Sequence, residues 1–195
     1  MIRPLLFLLP PETAHHAALA ALRLARRTRL TSLVVGRDLL VESPRLQQRV
    51  AGIEFGNPVG LGAGFDKNAK CFVDMAAVGF GFVEVGTVTA LAQPGNPKPR
   101  LFRLPADRAL INRMGFNNDG AAAVAKRLQA TPSPVPLGVN LGRSKVRSND
   151  EATDDYLESL EQLWMYASYL TINVSSPNTP ELRALQAPER LVPLL

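Results

Sequence analysis

Near the C-terminal end, residues 169–186 (YLTINVSSPNTPELRALQ) concentrate hydroxyl and amide side chains in a stretch with little freedom to wander. Leu170, Ile172 and Val174 alternate with Thr171 and Asn173, the period of a short strand, and Ser175, Ser176, Pro177, Asn178, Thr179 and Pro180 then break it. The two prolines fix φ and remove backbone donors beside Ser176 and Asn178, which suits a loop that must hold a ligand. The same residue types make ordinary turns, so this loop alone leaves both readings open. Similar strand ends upstream favour the first.

Three such ends precede it. The run VGLGAG reads as a buried strand whose glycines, Gly60, Gly62 and Gly64, let a flat ligand approach the backbone, and Asp66 and Lys67 follow at its exit. It is not the dinucleotide fingerprint, because Phe65 occupies the third glycine position. A helix is expected over residues 69–78, ended by Gly79, and Cys71 within it reads as a buried apolar residue rather than a nucleophile. Residues 82–88 (FVEVGTV) form the next strand, with Thr87 at its end. A Pro-rich excursion from 93 to 113 follows, too long for a simple strand-to-helix loop and of the kind that forms lids or binding loops. It holds a small strand in PRLFRL and leads into INRMGFNN. Residues 120–130 make an alanine-rich helix, 137–141 (LGVNL) a strand bearing Asn140, and 150–168 a further helix.

Four strand-helix units in succession predict an α/β fold with a parallel sheet. Their polar groups collect at the C-terminal strand ends, the side on which (β/α)8 barrels carry their active sites. Asparagine offers both donor and acceptor, so the amide-rich inventory suits a flat heterocycle.

The net charge of +5 sits in one place. Residues 1–50 hold eight arginines against Glu12, Asp38 and Glu42, which leaves the rest of the chain neutral. The basic balance therefore describes a leader and not the main body. The run Leu5, Leu6, Phe7, Leu8, Leu9 is too short to span a bilayer, ends in two prolines and has no small-residue cleavage site after it. A helix from Pro11 and a second over residues 30–40 are expected, with arginines toward the C-terminal end of the first. Such a pair lies either on a membrane surface or packed on its own domain, and pattern alone leans to packing. One aromatic, Phe7, and no finger pattern argue against nucleic acid. A single cysteine excludes a disulfide framework, and no His, Cys and carboxylate cluster has zinc spacing, so no metal site is expected.

GLGAGFDKNA, VGTVTALAQPGNPKPRLFRL, INRMGFNN, GVNLG and INVSSPNTPELRALQ, in this order and spacing, closely resemble the N-terminal half of the dihydroorotate dehydrogenase family. The leader and the serine point to its membrane-associated, quinone-reducing class. The resemblance implies a (β/α)8 TIM barrel that binds FMN, oxidises dihydroorotate to orotate in pyrimidine biosynthesis and passes the electrons to a quinone. It implies FMN contacts at Ala63, Gly64, Phe65, Asp66, Lys67, Thr87, Asn140 and Asn173. Substrate contacts are implied at Lys67, Asn112, Arg113, Met114, Gly115, Phe116, Asn173 and Asn178. Ser176 falls where the family has its general base, which takes the C5 proton while the C6 hydride passes to flavin N5. Soluble relatives carry cysteine there. His15 and Arg103 resemble residues of the quinone tunnel, the alternative for His15 being an exposed helix histidine.

The expected organisation is a basic helical membrane-associating segment over residues 1–44 and the N-terminal half of the barrel over 45–195. The resemblance favours a peripheral membrane protein, on the cytoplasmic face of the inner membrane in a bacterium. A full barrel takes roughly 250 residues. The chain is therefore expected to be incomplete and inactive alone, or else to act as a non-catalytic half-barrel that associates with a membrane or with itself through an open sheet edge.

Overall fold

A computed structural model describes residues 3–28, 41 and 43–195. The helix expected over residues 30–40 lies outside the described residues. Two helices open the chain, α1 (Arg3–Phe7) and α2 (Pro11–Arg27). A small hairpin follows, β1 (Gln48–Val50) and β2 (Ile53–Phe55), its turn at Ala51 and Gly52. Residues 56–58 lead from β2 into β3 (Gly60–Leu61). The third strand is only two residues long, because its glycine-rich exit has no side chains to hold it in a ladder.

The alternation then switches to regular strand-helix units. Helix α3 (Phe72–Val78) leads to β4 (Phe82–Val88), the excursion forms the hairpin β5 (Leu101–Leu104) and β6 (Ala109–Asn112), and α4 (Ala121–Ala130) leads to β7 (Leu137–Leu141). Helix α5 (Ala152–Leu163) and a 3-10 turn, Trp164–Tyr166, precede β8 (Tyr169–Ile172). A second 3-10 turn, Leu182–Gln186, and α6 (Pro188–Leu194) follow. The four strands β3, β4, β7 and β8 lie side by side in that order, all parallel, and among the described residues the sheet does not close into a barrel.

One face of this sheet carries the core. Val83, Val85, Val139 and Leu141 are fully buried against Phe72 and Met75 of α3, Ala121, Val124 and Leu128 of α4, and Tyr156 and Leu163 of α5. Each apolar side chain so placed contributes roughly 1.5–3 kcal/mol, enough to hold the layers together without help from the opposite face. That opposite face is free for polar work. The register puts Glu84, Gly138 and Tyr169 in one row across β4, β7 and β8. Gly138 is required there, since a Cβ on it would run into the Tyr169 ring.

A register shift between Gly86 and Val88 decides the next row. Strict alternation would place Thr87 with the core-facing Val85. The bulge gives that side to Val88 instead and turns Thr87 toward Asn140. Gly86, at φ +110°, takes a conformation that side chains resist, and a Cβ on it would sit 2.5 Å from the Asn140 carbonyl oxygen.

Candidate functional site

The polar face and the leader enclose a cavity of about 1010 Å³ at the C-terminal ends of the strands. One wall is amide and hydroxyl. Thr87 Oγ1 donates to Asn140 Oδ1 at 2.6 Å, and Asn173 Nδ2 donates to Thr87 Oγ1 at 3.1 Å and to Asn140 Oδ1 at 3.0 Å. Asn140 Nδ2 in turn donates to Glu84 Oε1 at 2.8 Å, while the Tyr169 hydroxyl donates to Glu84 Oε2 at 3.2 Å. The carboxylate thereby selects which end of the Asn140 amide faces Thr87 and Asn173, because only the nitrogen can donate to it. Sequence reasoning missed Glu84, although one signal was present: it is the lone charged residue in its strand.

A second wall is the loop after β8. Its first turn is fixed by Asn173 Oδ1, which accepts from the Ser175 N–H at 3.0 Å and the Ser175 hydroxyl at 2.8 Å. The Asn178 N–H donates to Ser176 Oγ at 3.2 Å, the side-chain turn that a Ser-Pro-Asn sequence permits. Ser176 and Asn178 are half-buried and line the cavity, and Ser175 and Pro177 line it with them. Thr179 is buried, with no hydrogen-bond partner for its hydroxyl among the described residues.

The glycine-rich exit and the excursion supply the rest. Ala63, Gly64, Phe65 and Lys67 line the cavity from the exit of β3, and Asn112, Met114, Gly115 and Phe116 from the end of β6. Burial pushes the Lys67 ammonium below the usual lysine value, and the nearby Arg100 adds to this, with Glu12 opposing. Two expected side chains do not reach the cavity. Asp66 is buried and accepts the N–H groups of Lys70 at 2.8 Å and Cys71 at 2.7 Å, which delays the helix start from the expected residue 69 to Phe72. Arg113 donates to the Pro99 carbonyl at 3.2 and 3.0 Å and lies over the Phe102 ring, because the hairpin offers it partners on the outer side.

The leader forms the apolar wall with Leu6, Phe7, Ala14, His15 and Ala18. His15 packs edge-on against Phe65, ring centroids 4.9 Å apart, and burial lowers its pKa, with His16 and Lys67 acting in the same direction. Arg103 donates to the carbonyls of Leu9 at 2.7 Å and Leu6 at 3.2 Å and sits over the Phe7 ring at 4.5 Å. Among the described residues three ion pairs fasten α2 to the sheet domain, one of them Lys98 with Glu12 at 3.5 Å. Arg100 grips Glu12 through Nη2 at 2.6 Å and Nε at 3.2 Å, and Arg26 Nε donates to Asp74 at 2.7 Å. Leader packing is thus observed, and Leu5, Leu8 and Leu24 remain exposed beside it.

The Glu12 pair has a pH signature. The Arg100 guanidinium holds the Glu12 carboxyl below its ordinary value of 4.5, against the opposing effect of burial and with help from Lys98. A lowered folded-state value means that this stabilisation is complete above the unfolded value and is lost as pH falls through the folded one. Below about pH 4.5 the unfolding midpoint of the chain should therefore fall more steeply than that of Glu12→Gln. Thermal melts of the two proteins across that range check it, and parallel curves would show that Glu12 contributes nothing.

Residues 45–195 match the family described as Dihydroorotate dehydrogenase. A curated relative from Chloroflexus aurantiacus named Dihydroorotate dehydrogenase (quinone) is 54% identical across 100% of this chain and 54% of its own length. One of the same name from Acidithiobacillus ferrooxidans is 53% identical across 100% of this chain and 54% of its own. The crystal structure of DHODH in complex with ferulenol from Eimeria tenella superposes with a TM-score of 0.82 at 41% identity, covering 94% of this chain and 49% of that one. The chain spans about half the length of the curated relatives it matches.

Proposed function

This chain belongs to the dihydroorotate dehydrogenase family, and from that premise we propose that it contributes the substrate-binding and proton-abstracting part of an FMN-dependent oxidation of dihydroorotate to orotate, with a quinone as acceptor. The observation that carries the reading is the convergence of Lys67, Thr87, Asn140, Asn173, Ser176 and Asn178 on one cavity from four separate strand ends. Family likeness alone would not require those side chains to meet.

The residues fit a flavin. A Cβ added at Gly62 or Gly64 would meet nothing within 4 Å, so the exit of β3 leaves open space against which a flat ring system can lie. Thr87, Asn140 and Asn173 offer donors and acceptors beside it, and Ala63 to Lys67 supply backbone. When bound, FMN supplies the acceptor for the hydride that leaves C6 of dihydroorotate.

The chain's own residues do the rest. Lys67 meets the anionic substrate, and the amides of Asn112, Asn173 and Asn178 match the alternating donors and acceptors of its ring. The backbone of Met114, Gly115 and Phe116 closes the pocket around it. Ser176 Oγ takes the C5 proton. Serine is a poor base in water, and two features of the loop compensate. The Asn178 N–H already points at Oγ and stabilises negative charge developing there. The neighbouring Ser175 and Pro177 are exposed, which leaves the hydroxyl proton a short way out to solvent.

The apolar wall of the leader, with His15 and Arg103, suits entry of a quinone ring and tail. We assign residues 1–44 to membrane association and 45–195 to the barrel. Exposed Leu5, Leu8 and Leu24 beside Arg3 and Arg27 support a peripheral position on anionic lipid, at the cytoplasmic face of an inner membrane in a bacterium. No helix among the described residues is long and apolar enough to cross a membrane. A second reading, a non-catalytic half-barrel that self-associates, is favoured by one observation, the open sheet in which β8 has a neighbour on only one side.

A visible spectrum separates the two. The chain is mixed with FMN, alone or with the C-terminal half of the Chloroflexus relative, freed of excess flavin, and given dihydroorotate without oxygen. The catalytic reading expects flavin retained in the mixture and bleached by substrate, with little retained by the chain alone. Flavin that is retained but never bleached would overturn it.

A further inference from the structure

The loop after β8 is held chiefly by its carbonyls. Tyr156 donates to Asn173 O at 2.8 Å, Gln186 to Val174 O at 3.0 Å, Arg183 to Ser175 O at 2.9 Å, Asn96 to Asn178 O at 3.4 Å, and Arg143 to Pro180 O at 2.7 Å. Five backbone oxygens in eight residues thus accept from side chains outside the loop. Pro177 and Pro180 cannot donate through their nitrogens, so the carbonyl side is where such a loop can be gripped.

Arg143 stands apart among the five. It and Tyr156 are each only 3% exposed, whereas Arg183 and Gln186 lie at the surface, and of the two buried donors it alone is a cation. Among the described residues no carboxylate lies within salt-bridge range of its guanidinium, whose remaining contact is the Ser144 carbonyl at 3.5 Å and whose Nε has no partner. Burying a cation without a counter-charge is costly, so this guanidinium is a poor choice for packing alone. It also sits three residues after Asn140 and joins the end of β7 to the far end of the loop. Asn140 and Ser176 are thereby anchored to one rigid strand end.

We propose that Arg143 is the positioning residue of the Ser176 loop: its guanidinium, clamped on the Pro180 carbonyl, holds the turn in which the Asn178 N–H meets Ser176 Oγ. The proposal rests on the reading of Ser176 as a site residue, and it concerns geometry that exists before any ligand binds.

Hydrogen exchange at the Asn178 amide reads that turn directly, because this is the N–H bonded to Ser176 Oγ. In Arg143→Gln its exchange should rise about tenfold or more, while amides of β4 and β7 stay within about twofold of the parent chain, as expected of a local opening. Arg143→Lys, which keeps the charge and a donating group, should recover most of the protection. Unchanged exchange at Asn178 would overturn the assignment. So would a rise spread equally over β4 and β7, the mark of a merely structural arginine, or a lysine variant no better than glutamine. Orotate and FMN, added to the chain paired with the relative's C-terminal half, test the functional reading separately. Failure of orotate to protect residues 176–178 would count against Ser176 as a substrate-facing group and leave the Arg143 result standing.

Discussion

Alanine at position 176 should slow the bleaching of bound flavin by dihydroorotate by roughly 10²–10⁴-fold, the contribution of a positioned general base. The substitution removes one oxygen from a half-buried loop residue, and its partner, the Asn178 N–H, lies where water can replace it. Stability should therefore move by no more than about 0.5 kcal/mol, and flavin retention should be unchanged. Those controls separate lost chemistry from lost structure. Cysteine at the same position makes the sharper companion, since a free thiol ionises near pH 8.5. Ser176→Cys should regain rate as pH rises toward that value, whereas Ser176→Ala should stay flat. Anaerobic stopped-flow bleaching in the paired chain measures all three. A Ser176→Ala protein that bleaches at the parent rate would remove Ser176 from the mechanism.

Arg100→Met should cost about 3 kcal/mol and release the leader. Removing one partner of a buried pair strands the other charge, at a cost of roughly 3–5 kcal/mol. The low end applies because the Glu12 side chain keeps 11% exposure and Lys98 lies 3.5 Å away. For a chain of this size such a loss lowers the melting temperature by roughly 6–12 °C. Trypsin should then cut faster after Arg23, Arg26 and Arg27. The double variant Glu12→Leu with Arg100→Met should recover much of the loss, since neither charge is left buried. Melts and a digestion time course decide the matter, and single and double variants that melt alike would mean that the two residues are not coupled. The functional consequence follows from the same contacts. With α2 undocked, Ala14, His15 and Ala18 leave the cavity, so its apolar side opens to water and quinone reduction should fall more than dihydroorotate oxidation.

How far the chain is legible without coordinates depends on the range of the physics involved. Strands at 82–88 and 137–141, and the helix at 120–130, are local: valines at alternate positions and apolar residues three and four apart specify them within their own windows. Their observed ends, Phe82–Val88, Leu137–Leu141 and Ala121–Ala130, agree to within a residue. The composition of residues 69–71 permits a helix. What excludes them is the Asp66 carboxylate, already bonded to the Lys70 and Cys71 N–H groups, and periodicity cannot register which acceptor a given N–H will find.

The site divides along the same line. Its inventory is local, since serine, asparagine and lysine at strand ends, with prolines to stiffen the loop, follow from residue type and order alone. The sequence by itself also determined the family and the parallel order of the strands. Only the tertiary structure decided that a bulge at Gly86 turns Thr87 onto the amide wall, that Glu84 orients Asn140, that Arg113 faces away, and that Arg100 and Arg143 reach partners 88 and 37 residues distant. Each of these depends on a contact beyond the reach of a local window, from 14 residues apart for Arg113 to 88 for Arg100. Which of several chemically acceptable partners a buried polar group takes is set by where packing brings it, and no local pattern encodes that choice.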